Sequence, residues 1–247
     1  MTKSNLFILL LLLIIPVGLL LHTLALRAAY RDAKSHPMAK YEGDFRYHRT
    51  LPPYKHIAVD GTVRLKSKRK SRSSMYHVSA QIWVGPDQQG GLTYRQDMKP
   101  FLKTEVRNDT LYCWFEADNS RDWLAAVRSY RELEIKVPQI ESISAGNLNM
   151  EIYQLAQQAP VALRFAHMNV AGISYVDVPF LDVKSNRALV HISGGRADTL
   201  RYELEDESYL TVNRFVAIRE KELVRAGKGA SFTLSGVTAD PAMPQQK

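Results

Sequence analysis

Apolar and polar positions alternate in short runs over most of this chain. Residues 76–84 (YHVSAQIWV) alternate and end at Gly85-Pro86-Asp87. Such a run reads as a half-buried strand closed by a turn. Residues 103–107 and 110–115 flank Asn108-Asp109, a hairpin signal, because both residue types tolerate the left-handed backbone of a two-residue turn. Residues 133–137 alternate strictly and stop at Pro138. Further strands are expected over 139–144, 148–152, 161–165, 168–170, 173–178, 181–184, 188–193, 200–204, 209–212, 215–218 and 231–234. Small or polar turns such as Ala145-Gly146-Asn147, Ala171-Gly172 and Gly194-Gly195 separate them. No sustained helical period occurs between Glu132 and Leu223; residues 121–128 read as one short helical turn of ambiguous pattern. Short strands at regular spacing predict an all-β domain. It is a sandwich, a barrel, or a β-solenoid whose rungs of roughly 20 residues stack on one core.

The amino terminus has a different pattern. Residues 6–26 (LFILLLLLIIPVGLLLHTLAL) form an apolar run of 21 residues. About 20 helical residues span a bilayer core. The first reading is an uncleaved signal-anchor; the alternative is a signal peptide cleaved near Ala25 or Ala29, where the small-x-small pattern is weak. No cysteine follows the segment, so a lipobox is excluded. Lys3 on one side and Arg27, Arg31 and Lys34 on the other, offset by Asp32, leave the basic bias near balance. A long domain behind the segment favours its translocation. The expected organisation is an anchor or signal over 1–27, a juxtamembrane spacer over 28–53, a β-rich domain over 54–240 and a disordered tail over 241–247. Only five residues precede the apolar run, which leaves no room there for a cytosolic signalling domain.

Charge changes the picture at one place. The formal net charge is +8, and residues 64–72 (RLKSKRKSR) carry six basic residues and no acid. Arg64, Lys66, Lys68, Arg69, Lys70 and Arg72 are therefore candidate polyanion contacts, for anionic lipid headgroups or envelope polysaccharide. The bland reading is a solvated hairpin loop without a partner. Nucleic acid is not expected, because no aromatic residue interleaves the charges to stack a base and the domain is exported. Glu203, Glu205, Asp206 and Glu207 form an acidic cluster. It reads as a solvated turn, or as a site attracting the basic segment of a second copy. The single cysteine, Cys113, lies in an apolar run and reads as a buried, inert thiol. An exported domain with no disulfide suits a bacterial envelope.

Two stretches carry a family resemblance. Residues 54–65 (YKHIAVDGTVRL) open with an Ile-x-Val-x-Gly strand entry. Residues 133–146 (LEIKVPQIESISAG) supply an alternating strand, a proline, an Ile-x-x-Ile step and a small-residue turn. Together they resemble the auto-transporter adhesin head GIN domain family, an uncharacterised family of bacterial envelope proteins. The resemblance spans about 54–240 and implies a right-handed parallel β-helix behind an export signal, with no known enzymatic activity and no cofactor. The chain departs from the family pattern in having few Ser-Gly turns and in inserting the basic segment 64–72.

Chemistry-bearing motifs are scarce. The histidines show no zinc-ligand spacing, and there is no nucleophile elbow, phosphate loop or dinucleotide fingerprint. The expectation is a non-catalytic envelope domain for adhesion, scaffolding or polysaccharide contact. The alternatives are a polysaccharide-acting enzyme, which would need two carboxylates converging in a groove, and a membrane-tethered envelope sensor.

Overall fold

A computed structural model describes residues 46–65, 74–75, 78–118, 131–168 and 170–235, all within the compact unit Arg46–Lys247. The apolar segment 6–26, the expected turn at 121–128, the tail 241–247 and the candidate contacts Lys66, Lys68, Arg69, Lys70 and Arg72 lie outside the described residues.

The strands in chain order are β1 (Arg46–Thr50), β2 (His56–Leu65), β3 (Ser74–Met75), β4 (Val78–Val84), β5 (Gly91–Arg95), β6 (Leu102–Arg107), β7 (Thr110–Ala117), β8 (Arg131–Val137) and β9 (Ser142–Gly146). They continue as β10 (Asn149–Tyr153), β11 (Leu155–Ala156), β12 (Val161–Ala166), β13 (Ala171–Ile173), β14 (Val176–Asn186), β15 (Leu189–Ile192), β16 (Gly195–Leu204), β17 (Tyr209–Asn213), β18 (Val216–Ala226) and β19 (Ser231–Ser235). The architecture is all-β, with two large open sheets over one core, a β-sandwich-like arrangement. One sheet has the order β1-β5-β8-β4-β10-β13-β15-β17-β19; the other has β18-β16-β14-β12-β9-β2-β7-β6.

Pairing differs between the two halves. In the N-terminal half β1–β5, β5–β8, β2–β3 and β6–β7 are antiparallel. The uniform parallel stacking implied over 54–240 therefore does not describe this half, where hairpins intervene. From β8 onward, apart from two-residue β11, successive strands alternate between the sheets, and neighbours within each sheet are parallel.

Register aligns like residues across strands. Leu111, Ile57, Ile143, Leu163, Val183, Tyr202 and Leu223 occupy one row of the second sheet. Ile135, Ile82, Ile152, Ile173, Ile192, Val212 and Leu234 occupy one row of the first. Most of these side chains are fully buried, and the two rows, apart from exposed Leu223 at the end of one, belong to the same apolar cluster. Burial of each aliphatic side chain is worth about 1.5–3 kcal/mol. Because side chains alternate along a strand, these rows leave the intervening positions facing outward.

Several expected boundaries move. The expected strand 173–178 is divided, with Ile173 ending β13 and residues 176–178 joining the expected strand 181–184 in β14, whose register with β16 steps over Pro179, a residue without an N–H. Ala171-Gly172 is not a turn; it lies in β13, where the Glu151 side chain lies over Gly172 and its Oε1 accepts a hydrogen bond from Ser174 Oγ at 2.5 Å. Gly195 opens β16 at φ 107°, and a Cβ there would stand 1.8 Å from the Val176 carbonyl oxygen. β1 lies inside the stretch read as spacer, and its edge is paired with β5.

Cys113 faces the core from β7, and burial pushes its thiol up to about 12. The folded state thus holds this proton more tightly than the unfolded state, whose thiol titrates near 9.0. The resulting stabilisation is complete below that value and is lost as pH rises from there towards 12. At pH 8, labelling of Cys113 by a thiol reagent is expected to proceed no faster than global unfolding; burst labelling of the native fold would contradict this burial.

Candidate functional site

The outer face of the second sheet has a step in it. In one row Tyr112 of β7 is followed by Ala58 of β2, Ser144 of β9 and Arg164 of β12. In the next row Trp114 is followed by Asp60, Gly146 and Ala166. Two large aromatic side chains on β7 thus border a floor of small residues carried by β2, β9 and β12. The result is an open cavity of about 500 Å³. Its walls also include Arg64, Glu105 and Arg107.

Local contacts fix these walls. Asn108 and Asp109 form the expected hairpin turn, both left-handed at φ 49° and 55°. That turn joins β6 to β7 and sets Arg107 beside Tyr112, its guanidinium 5.3 Å from the ring centroid. The Trp114 indole N–H donates to Glu116 Oε1 at 2.9 Å. β2 bulges between Asp60 and Val63, so that Gly61 and Thr62 are extra residues relative to β7. Within that bulge the Thr62 N–H donates to Asp60 Oδ1 at 2.9 Å, and Arg64 approaches Asp60 Oδ2 at 3.9 Å. A bulge beside a cavity re-aims side chains, here Asp60 and Arg64.

The arrangement combines two aromatic rings with charged groups of both signs. Rings offer flat apolar contact, and a few placed polar groups set orientation and specificity. The Asp60 carboxylate is engaged by a backbone N–H and a guanidinium, which places it as a hydrogen-bond acceptor.

Of the candidate polyanion contacts, Arg64 is in β2 and not in a loop, and it lines this cavity. β2 and β3 pair antiparallel, Val63 with Ser74, so they bracket residues 66–73. The acidic cluster is not simply a solvated turn. Lys184 Nζ lies 3.2 Å from Glu203 Oε2 and 3.0 Å from Glu205 Oε1, and Asn186 donates to Glu205 at 2.8 Å. The hydrogen bond from Lys184 holds the Glu205 carboxyl below its ordinary value.

His56 Nδ1 meets Ser142 Oγ at 2.8 Å, and its Nε2 is 3.8 Å from Glu141 Oε2. The residue types suggest a proton relay, but the second separation is too long for a hydrogen bond. Glu141 is instead held by Lys55 at 2.8 Å, whose hydrogen bond lowers the Glu141 carboxyl. Among the described residues no cluster of three or more His, Cys, Asp or Glu could hold a metal ion.

Sequence reasoning missed Tyr112, Trp114, Asp60, Glu105 and Arg107. The available signal was two aromatics at alternate positions of one hairpin strand, facing away from Leu111, Cys113 and Phe115.

No family model matches the chain, and no curated protein matches it. Solved structures give remote likenesses. A candidate adhesin from Parabacteroides distasonis shares 13% identity over 78% of this chain and 98% of that one, with a TM-score of 0.39. A candidate adhesin from Bacteroides fragilis shares 10% over 76% and 96%, with a TM-score of 0.38. A candidate cell adhesion protein from Clostridium sporogenes shares 13% over 76% and 97%, with a TM-score of 0.33. At TM-scores this low the likenesses assign neither a fold nor an activity to this chain.

Proposed function

We propose that this chain is a non-catalytic cell-envelope domain that contacts acidic polysaccharide through the cavity on its second sheet. The observation that carries the reading is the pairing of Tyr112 and Trp114 with Arg64 and Arg107 around one small-residue floor. Sugar rings stack on the aromatic faces, and the guanidinium groups recognise carboxylates. Arg64 is also the first residue of the basic run 64–72, which extends the positive charge from the cavity wall. In this reading residues 6–26 anchor the domain to the membrane and the β domain stands on the extracytoplasmic side. The recurrence of about 20 residues between parallel neighbours supports reading β9–β19 as stacked coils of a β-solenoid, consistent with the family resemblance.

The full chain in detergent, probed with alginate, tests the reading. Trp114→Ala and Tyr112→Ala are each expected to weaken binding about tenfold, equivalent to roughly 1.4 kcal/mol. Changing Lys66, Lys68, Arg69 and Lys70 together to Ser is expected to reduce the salt dependence of alginate binding. Unchanged alginate affinity in both aromatic variants, at unchanged melting temperature, overturns the proposal.

A further inference from the structure

We infer a second saccharide subsite, for an uncharged glycan, running along the corner marked by Tyr175 and Phe215. It rests on the preceding reading for its ligand class and on entirely different residues for its geometry.

A second open cavity of about 520 Å³ lies at the turn after β4 and the corner between β10 and β14. Gln88, Asp87, Gln154 and Tyr175 give it its chemistry. The turn is held by the Gly85 N–H donating to the Val137 carbonyl at 3.1 Å and the Gln88 N–H to the Gly85 carbonyl at 3.0 Å. On the other wall the Leu155 N–H donates to the Tyr175 carbonyl at 2.9 Å. The stacked pair Trp83–Tyr153, with centroids 4.4 Å apart, immediately precedes Val84 and Gln154 in the chain and gives both walls a rigid base.

Three observations point to a ligand. First, Gln154 is left-handed at φ 54°, a conformation a glutamine rarely adopts. Such a conformation persists where surroundings impose it, often at ligand sites. Second, Tyr175 is 46% exposed and Phe215 is 64% exposed, each immediately before a strand, β14 and β18. Third, the two rings share a register position. The Val176 N–H donates to the Gly194 carbonyl and the Gly195 N–H to the Phe215 carbonyl, so Tyr175, Gly194 and Phe215 follow one another across three parallel strands. Two strand spacings separate the two backbone positions by roughly 9.6 Å, with a glycine between them. An extended glycan laid across the strands meets one ring, passes over Gly194 and meets the other.

The polar groups define the sugar. Gln88 and Gln154 each offer an amide donor and acceptor, and Asp87 offers acceptors. These suit vicinal hydroxyls. No basic side chain is among the described residues lining this cavity, whereas two arginines line the first. Within the cavity a uronate would meet the Asp87 carboxylate, which selects an uncharged sugar there. At the far end the Arg214 guanidinium lies 4.7 Å from the Phe215 ring centroid, so that ring offers one free face.

The test uses the full chain in detergent with cellohexaose, chitohexaose and laminarihexaose as uncharged probes and alginate as the acidic one. At least one uncharged hexasaccharide is expected to bind, about tenfold more weakly to Tyr175→Ala and to Gln154→Ala. Tyr175→Phe, which keeps the ring, is expected to retain binding. Phe215→Ala is expected to weaken the hexasaccharide but not the corresponding disaccharide. Alginate binding is expected to be the same in all four variants, because it uses Tyr112 and Trp114. If no uncharged hexasaccharide binds, or if Tyr175→Ala and Gln154→Ala bind like the parent, this inference fails while the alginate result stands by itself. If Trp114→Ala alone abolishes hexasaccharide binding, the sugar occupies the first cavity and the corner is overturned as a site.

Discussion

Gly61→Ala is expected to destabilise the domain by about 3 kcal/mol, or roughly 6–12 °C in melting temperature for a domain of this size. A Cβ at Gly61 would stand 2.2 Å from the Asn147 carbonyl oxygen and 2.8 Å from both the Asn147 carbonyl carbon and Leu148 Cβ. The nearest obstruction is main chain, so no rotamer change relieves it. Asn147 is itself left-handed at φ 59°, closing the turn between β9 and β10, and has little freedom to retreat. The effect would reach the cavity, because Gly61 lies in the bulge that aims Asp60 and Arg64. Alginate affinity is therefore expected to fall in the fraction that still folds. Gly90→Ala is the matched control: nothing stands within 4 Å of its Cβ, and its cost is expected to stay within about 0.5 kcal/mol. Equal melting temperatures for the two variants would show that the bulge repacks and that Gly61 is not a constraint.

The same contact shows how much the sequence reveals. The Ile-x-Val-x-Gly entry and the Ala145-Gly146-Asn147 turn stand out separately in the chain. The fold brings them together: β2 and β9 are parallel with Asp60 opposite Gly146, and Gly61 sits beneath Asn147. Spacing and turn chemistry were legible because each acts locally, as at Asn108-Asp109, where two left-handed residues close a hairpin. Boundaries set by distant side chains were not. Residues 139–141 read as strand, yet β9 begins only at Ser142, because the Gln157 side chain both donates to the Ile140 carbonyl and accepts from its N–H. β1 was illegible because its RYHRT sequence has no apolar alternation. On one edge of a sheet it pairs with β5 through backbone and through polar and aromatic contacts, His48 Nδ1 with Thr93 Oγ1 at 2.9 Å and the Tyr47 ring with that of Tyr94 at 5.3 Å, whose partners are remote in the chain. The cavity was illegible for a related reason. Outward positions on a strand carry the same alternation whether they face bulk water or a ligand. Its depth comes from Ala58, Ser144, Gly146 and Ala166, small residues on three strands remote from β7 in sequence.

Leu163→Ala is expected to cost 2–5 kcal/mol, while Leu223→Ala costs no more than about 0.5 kcal/mol. The two leucines occupy the same row of the second sheet, three strands apart. Leu163 is fully buried between Ile143 and Val183; Leu223 lies on the outermost strand, β18, and is 54% exposed. Interior strands bury a row residue from both sides, whereas an end strand has a neighbour on one side only. Truncating Leu163 leaves a void that neighbouring aliphatics, themselves locked in register, fill only in part. Truncating Leu223 leaves water where water already was. Denaturant unfolding of each single variant and of the double variant checks this, the double being expected to equal the two effects combined because the sites share no partner. If Leu223→Ala is as costly as Leu163→Ala, the open edge at β18 is covered in solution. The melting temperature should then rise with protein concentration where a second copy supplies the cover, and should not where the cover comes from the same chain.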